Sequence, residues 1–418
     1  MTDLKWVKIC VGSVIVYLML FGFLAHSVSL RKGRFKDSHL MRLYSFAIAT
    51  TFTMSYGRNM LIDLLKNRFN LENVIQLYSY MNIVAVIVNY LTALILSRTF
   101  VRFFNRVALY ETIKFFDVNA KTLIVSVRLV LLKGLLIPVI YEVTLILQQI
   151  RNAPDKHLLW TFHTLLPMIL SQMFPNLFFS ALVICKTLMV SLNERLMEIV
   201  NEVNCLQNIL QMSLQKPYYR MQRFCELADR LDLLAQKYDI ICKQTTVYLH
   251  LLSAPLICSL LCNLCGITAG CFTQYLAIAE TLVNNEPYDA FNALTNAVFL
   301  VISIVEVLLQ GHICDDNRLK VNVLMYNKIL NQFSVYNVQL QVQETGLILQ
   351  RMNLTHADLR FKESVEAFSL LVLVTEYKIQ PLGLLEINIS LVQDVLSAVT
   401  SFLLIFVQSD LTLRFSLK

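Results

Sequence analysis

Eight stretches of this chain are long and apolar enough to cross a bilayer, at about 7–30, 40–60, 74–96, 129–150, 162–185, 246–276, 291–313 and 386–408. In hydrocarbon every backbone N–H and C=O must be satisfied within the protein, so a chain of such runs folds as a bundle of helices. Only 16% of the residues are charged and 56% are hydrophobic, against about 25% charged in a soluble domain. The chain is therefore read as an all-α polytopic membrane protein, with the lipid bilayer as its first partner.

Loop charges give the expected orientation. Between 97 and 128 lie Arg98, Arg102, Arg106, Lys114, Lys121 and Arg128 against Glu111 and Asp117, whereas the loop at 280–290 holds Glu280, Glu286 and Asp289 without a base. The positive-inside rule makes the first loop cytoplasmic and the second extracytoplasmic. The run Arg31, Lys32, Arg34 and Lys36 then lies inside, as do the connections 186–245 and 314–380, and the C-terminus is extracellular. If 7–30 also spans, there are eight crossings; if it is re-entrant or interfacial, there are seven and a cytosolic N-terminus. Lys5 and Lys8 favour seven. No small-x-small site precedes Arg31, so a cleaved signal peptide is not expected. The chain divides into an N-terminal segment (1–38), helices 1–4 (39–185), a cytosolic connection (186–245), helices 5–6 (246–313), a second cytosolic connection (314–380) and a last helix with a short tail (381–418). A glycan at the Asn353-Leu354-Thr355 sequon would reverse this orientation.

The two long connections are poor in Gly and Pro. Phe224, Leu227, Leu231, Leu234, Tyr238 and Ile241 recur at helical spacing between charges, as do Leu196, Ile199, Val203, Leu206 and Leu210; 320–352 is also helical in character but richer in Asn and Gln. These apolar faces predict a packed cytosolic bundle below the membrane. Pro138, Pro167, Pro175 and Pro255 are expected to kink their helices. The uncharged run Gln244–Ala279 exceeds the ~20 residues that a span needs. Its helix should tilt, project from the bilayer, or break near Gly266 and Gly270.

No phosphate loop, nucleophile elbow or HExxH motif is present, so neither enzymatic chemistry nor a cofactor is expected, and no nucleic-acid partner is called for. Cys262-x-x-Cys265 is half a zinc site without its second half, and no metal is expected. Two carboxylates fall inside spans, where they are expensive. Glu306 is expected to pair with a base on a neighbouring helix. Glu142, after Tyr141, lies in the outer half, where a ligand arriving from outside would lodge. Tyr78, Tyr80, Asn82, Trp160, His163, Thr268, Thr273, Asn292 and Asn296 share that half and suit a small, mostly apolar molecule. Aromatics near helix ends also serve as interface anchors.

On the last span, a wheel at about 100° per residue places Ser390, Gln393, Asp394, Ser397, Ser401 and Gln408 on one face. Leu391, Val392, Val395, Val399, Phe402, Leu403 and Phe406 form the other. The polar stripe needs water or protein beside it: several copies around an aqueous pore, or neighbouring helices of the same subunit. Repeated around a pore, Asp394 would make an acidic ring that favours cations.

Just before that span, Pro381-Leu382-Gly383-Leu384-Leu385-Glu386-Ile387-Asn388 resembles the Gly-Leu-Phe-x-Leu/Ile-Asn motif of the insect gustatory receptors. Ala398-Val399-Thr400-Ser401-Phe402 through Gln408 resembles that family's signature of Thr-Tyr, five apolar residues and Gln-Phe, with Ser401, Phe402 and Ser409 replacing Thr, Tyr and Phe. Ser191-Leu192-Asn193-Glu194 and the order of spans and loops agree. The resemblance implies a tastant-gated, non-selective cation channel in a sensory-neuron plasma membrane, with a tastant that is often bitter. It implies a homotetramer or a hetero-oligomer with related receptors, a pore lined by the last helix, and a constriction at Ile405, Gln408 and Ser409. The ligand set is then Tyr80, Tyr141, Glu142, His163, Thr268 and Asn296. A G-protein-coupled type of receptor would need the opposite orientation, and neither Asp-Arg-Tyr nor Asn-Pro-x-x-Tyr occurs. A transporter is the third reading; no internal repeat and no pair of opposite intramembrane charges is evident in its favour.

Overall fold

The computed structural model describes residues 2–29, 33–65, 74–105, 112–152, 157–208, 216–284, 289–314, 338–375, 380–384, 386–387 and 389–416. Helix α1 (Thr2–Leu20) leads into a hairpin of β1 (His26–Ser29) and β2 (Arg34–Asp37). Next, α2 (His39–Phe52), a π-turn (Thr53–Gly57) and α3 (Arg58–Leu65) make one column, followed by α4 (Val74–Ile95). The short α5 (Ser97–Phe104) and α6 (Thr112–Phe115) precede a column of α7 (Ala120–Leu131), a π-turn (Leu132–Leu136) and α8 (Ile137–Asn152). Then come α9 (Leu158–Ser171), α10 (Met173–Leu206), α11 (Pro217–Asn284), α12 (Ala290–Cys314), α13 (Val338–Gln350) and α14 (Leu359–Val374). A 3-10 turn (Pro381–Gly383) introduces the last helix, α15 (Ile389–Ser416). Part of the expected 320–352 helix, along with Leu210, Arg31, Lys32, Arg106, Glu111, Glu286, Leu385 and Asn388, lies outside the described residues.

Among the described residues, six helical stretches are long and apolar enough to cross a membrane: Gln76–Ile95, Ala120–Arg151, Leu159–Leu206, Pro217–Leu282, Ala290–Gly311 and Ser390–Thr412. The α2–α3 column packs against them through Phe52 and Tyr56 and makes the seventh.

Beyond one end of this bundle, the lower halves of α10 and α11 continue as a stalk closed by α13 and α14. The periodic positions Phe224, Leu227, Leu231, Leu234, Tyr238 and Ile241 are all buried there, against Leu196, Ile199, Val203, Ile348, Phe361 and Phe368. Ring pairs Phe224–Phe361 and Tyr238–Phe368 stand 5.7 and 5.6 Å apart. Outside this core, Glu202 bridges Arg223 and Arg230. Helix α11 carries the stalk into the membrane without interruption. Its 68 residues extend about 102 Å at 1.5 Å each. Of the three outcomes for Gln244–Ala279, the break is the one not found: Gly266 and Gly270 lie inside one continuous helix.

Two other prolines act through the carbonyls they release. A proline inside a helix removes the bond to the carbonyl four residues back. Pro167 frees the His163 carbonyl, which accepts the Tyr56 hydroxyl at 2.7 Å. Pro175 frees the Ser171 carbonyl, approached by Asn89 Nδ2 at 3.5 Å, and the helix breaks at Gln172 between α9 and α10.

The apolar run 7–30 is not one helix. α1 stops at Leu20, Gly22 adopts φ of 73°, and a Cβ there would meet Ile48 at 3.1 Å. The chain then turns into the hairpin. Carbonyls left open by this turn are taken from the bundle: Leu20 by Tyr44 at 2.8 Å, Phe21 by Tyr90 at 2.9 Å and Ala25 by Ser97 at 3.1 Å.

His26 on β1 is 2% exposed, and neither ring nitrogen has a hydrogen-bond partner among the described residues. Burial, with opposing effects from Asp37 and Arg42, pushes its imidazole from 6.5 down to about 4. The unfolded chain therefore takes up the proton first. Stability from the neutral ring is complete above about 6.5 and is lost as pH falls towards about 4. His26→Leu is expected to flatten that acid limb in thermal unfolding measured against pH; a limb of unchanged steepness would show that another group sets it.

Candidate functional site

At the end of the bundle away from the stalk, four helices bring aromatic rings together. Tyr78 of α4 and Tyr141 of α8 share a hydrogen bond of 2.6 Å between their hydroxyls. Tyr141 stacks on Phe299 of α12 at 5.3 Å, and Tyr78 meets the same ring edge-on at 6.0 Å. Phe272 and Ala269 of α11, with Leu145 and Leu165, complete the cluster. Gly266 of α11 permits this approach, since a Cβ there would lie 2.9 Å from the Tyr78 ring. Asn296 donates to the Gly270 carbonyl at 3.0 Å, and Gly270 in turn abuts Phe299.

The expected ligand residues divide by direction. Tyr141 and Asn296 converge on this cluster. Thr268 is buried on α11 with its hydroxyl bonded to the Leu264 carbonyl. Tyr80 turns to the α2–α3 column and donates to Asp63 at 2.8 Å. His163 is exposed and stacks on Tyr56 at 4.7 Å, also facing that column. Glu142, one residue round the helix from Tyr141, is half-buried and lies outside the cluster. Of the six residues read as one pocket, Tyr141 and Asn296 are the two that meet at the cluster.

Nearer the stalk on the same helices, Lys133 Nζ contacts Glu306 Oε1 at 2.5 Å, with the two side chains 0% and 7% exposed. Glu306 thus has the base that was expected. The expectation that the spans hold no pair of opposite charges is overturned. Lys133 lies inside the apolar run 129–150 but close to its basic flank, so it reads in sequence as part of the loop. It sits in the second π-turn, and such turns concentrate at functional positions. Within α12, Asn296, Phe299, Ser303, Glu306 and Gln310 are all buried, at the spacing of a single helix face.

Helix α15 shows its two faces plainly. Val392 and Val399 are buried, and Val395, Leu403 and Phe406 partly buried, against α11 and α12. Ser390, Gln393, Asp394, Ser397, Ser401, Ile405, Gln408 and Ser409 are all exposed in the single chain. Phe402, expected on the packed face, is 46% exposed. The seam that packs is narrow, running through 392, 395, 399, 403 and 406, and Phe402 falls beside it. Ser401 satisfies its hydroxyl on the Ser397 carbonyl at 3.1 Å. Farther along, Asp410 accepts from Tyr275 of α11 at 3.0 Å and from Arg414 at 2.8 Å. That anchor was not foreseen, because its two helices are distant in sequence. In the turn before α15, Pro381 and Ile387 are buried and Leu382 takes φ of 52°. The motif thus wedges the start of the last helix against α11.

The family model described as 7tm Chemosensory receptor matches residues 11–413. A Drosophila melanogaster protein named as gustatory receptor 94a is 38% identical over 415 residues, which is 99% of this chain and 98% of that protein. A second, named as gustatory receptor 97a from the same organism, is 38% identical over 416 residues, 99% of this chain and 92% of that one. Both alignments run through the bundle, the stalk and the last helix alike. With seven helical columns and a family match that spans nearly its whole length, the chain belongs to the insect gustatory receptors of the seven-transmembrane chemosensory receptor family, and is a multi-pass membrane chemoreceptor.

Proposed function

We propose that this chemoreceptor is itself a ligand-gated cation channel, with several copies of α15 surrounding an aqueous pore. The observation that carries the proposal is the exposed polar face of α15. Its opposite face is packed, so the helix cannot rotate the stripe inward. Leaving Asp394 against lipid would cost up to about 3 kcal/mol, the figure for the centre of a span, and Gln393 and Gln408 add to that. Water and neighbouring copies remove the cost together. Four copies, or this chain combined with related receptors, would place Asp394 in an acidic ring attractive to cations and leave Ile405, Gln408 and Ser409 at the opposite mouth. By the loop charges the stalk is cytosolic, the aromatic cluster lies in the outer half, the N-terminus is inside and the C-terminus outside. The membrane is then the plasma membrane of a sensory neuron, and the agonist a small tastant held at Tyr78, Tyr141 and Phe299. A tastant would open the pore only by as much as it prefers the open state.

The test is current recording from cells expressing the chain, across a panel of small, largely apolar compounds. Tyr141→Phe removes one hydroxyl from the cluster and is expected to raise the half-maximal agonist concentration about tenfold, with unitary conductance unchanged. Altered conductance with unaltered agonist sensitivity would move the ligand elsewhere. The Lys133–Glu306 pair favours a second reading, ion-coupled transport. Currents whose reversal potential follows the permeant cations alone, with no coupled substrate flux, exclude it.

A further inference from the structure

We infer that the hairpin and α5 together form a binding platform for the phosphate headgroup of an anionic phospholipid. β2 alternates: Phe35 is buried, while Arg34 and Lys36 beside it are exposed. On α5, Arg98 and Arg102 are exposed one turn apart, while Phe100, Phe103 and Phe104 pack into the bundle core. Asp37 is the only acid among the described residues of the hairpin and α5. Its carboxylate is already engaged, by Arg42 on one oxygen and by Arg98 at 3.8 Å on the other. Arg34, Lys36 and Arg102 have no carboxylate partner among the described residues.

The two elements are fastened to each other. The Asn105 side chain at the end of α5 accepts from the Phe35 backbone N–H at 2.9 Å and donates to its carbonyl at 2.6 Å. It thereby acts as a short extra strand beside β2. Phe35 stacks on Phe104 at 4.9 Å, and Ser97 holds Ala25 at the base of the hairpin. Charges that served only to orient the chain during insertion would need no such fixed geometry. The platform also stands where a headgroup would be. α5 leaves α4 after a single residue, Leu96, and α2 begins two residues after β2. Basic side chains at such a boundary attract anionic lipid by about 1 kcal/mol each. A membrane lipid is favoured over a soluble phosphate because the aromatic face of α5 is seated in the bundle, leaving its basic residues at the bilayer edge. The inward orientation proposed for the stalk decides only which leaflet supplies the lipid.

The test is a titration of the full-length protein in detergent micelles, where both faces are accessible and orientation plays no part. The probes are short-chain phosphatidylinositol bisphosphate, short-chain phosphatidylcholine and soluble inositol trisphosphate. The bisphosphate lipid is expected to bind in a salt-sensitive manner and the phosphatidylcholine not to. Joint replacement Arg34→Gln, Lys36→Gln, Arg98→Gln and Arg102→Gln should weaken binding about tenfold or more. Arg34→Gln with Lys36→Gln, at exposed strand positions, gives a smaller loss in the same direction and serves if the fourfold variant does not fold. Lys114→Gln with Lys121→Gln removes two exposed charges elsewhere in the same connection and should have no effect. Three results would overturn the platform: no binding of the lipid, equal loss in the Lys114 and Lys121 control, or inositol trisphosphate binding as tightly as the lipid. None of them bears on whether α15 lines a pore.

Discussion

Lys133→Met is expected to destabilise the protein by about 3–5 kcal/mol, because it leaves the Glu306 carboxylate buried without its partner. Glu306→Leu, which strands Lys133 instead, should have a comparable effect. Lys133 is 0% exposed and lies in the π-turn of the α7–α8 column, while Glu306 belongs to α12. The bond therefore fastens two membrane columns where neither ion can reach water. The combined variant, Lys133→Met with Glu306→Leu, replaces an ion pair by two apolar side chains of similar bulk, and such replacements are often neutral or stabilising. Thermal unfolding of the detergent-solubilised protein should show both single variants well below the parent and the double variant close to it. Additive losses in the double variant would mean that the two groups do not act as a pair. The functional readout differs from the stability readout. The pair shares α12 with the Tyr78–Tyr141 cluster through Glu306 and Phe299, and α15 packs on the same helix. A restored double variant with altered agonist sensitivity would make the pair part of the coupling as well as of the fold.

The residues that could be read from the sequence are those whose physics is local. Phe224 to Ile241 spells out a buried helical stripe without reference to any partner, and the structure buries each of those positions. The same holds for the two faces of α15, since 3.6-residue periodicity separates Val392, Val399 and Phe406 from Asp394, Ser401 and Gln408. Information that depends on a distant partner was not legible. Glu306 announced itself as a carboxylate needing a base, but the base lies 173 residues away in the chain. The aromatic cluster shows the same limit: Tyr141 and Glu142 are neighbours in sequence, yet about 100° of helical rotation sends one into the cluster and leaves the other outside it. The π-turns were hidden for another reason. An extra residue in one helical turn leaves composition and apolarity unchanged, yet Tyr56 and Lys133, in the two turns, each reach across to another column. The hairpin was submerged because its four-residue strands lie against an apolar run long enough to pass for a span.

The largest expected effect on current comes from cysteines placed along α15, a helix that contains none of its own. Ser397→Cys, Ser401→Cys and Gln408→Cys put thiols on the exposed face. A positively charged thiol reagent added during ligand-evoked current should attach there and abolish most of it, since a fixed cation in a cation pore repels the permeant ion. Val399→Cys and Phe406→Cys put the thiol on the seam against α11 and α12. Exposing such a side chain costs about 2–3 kcal/mol, so its reaction should be slower by roughly 30- to 150-fold. The contrast is between neighbouring positions on one helix, so altered expression of a single variant cannot imitate it. Block at Val399 and Phe406 with none at Ser397, Ser401 and Gln408 would turn the helix around and place the pore elsewhere. Ile405 refines the picture. It is 59% exposed on the polar side of α15, the one large aliphatic group among the residues assigned to the pore. Ile405→Ala should raise current in the absence of ligand if that side chain narrows the closed path. Because Ser409 is small, Ile405 carries more of any constriction at that mouth than it would beside a bulky neighbour. A leak of parental size in Ile405→Ala would assign the closed gate to another level of the pore.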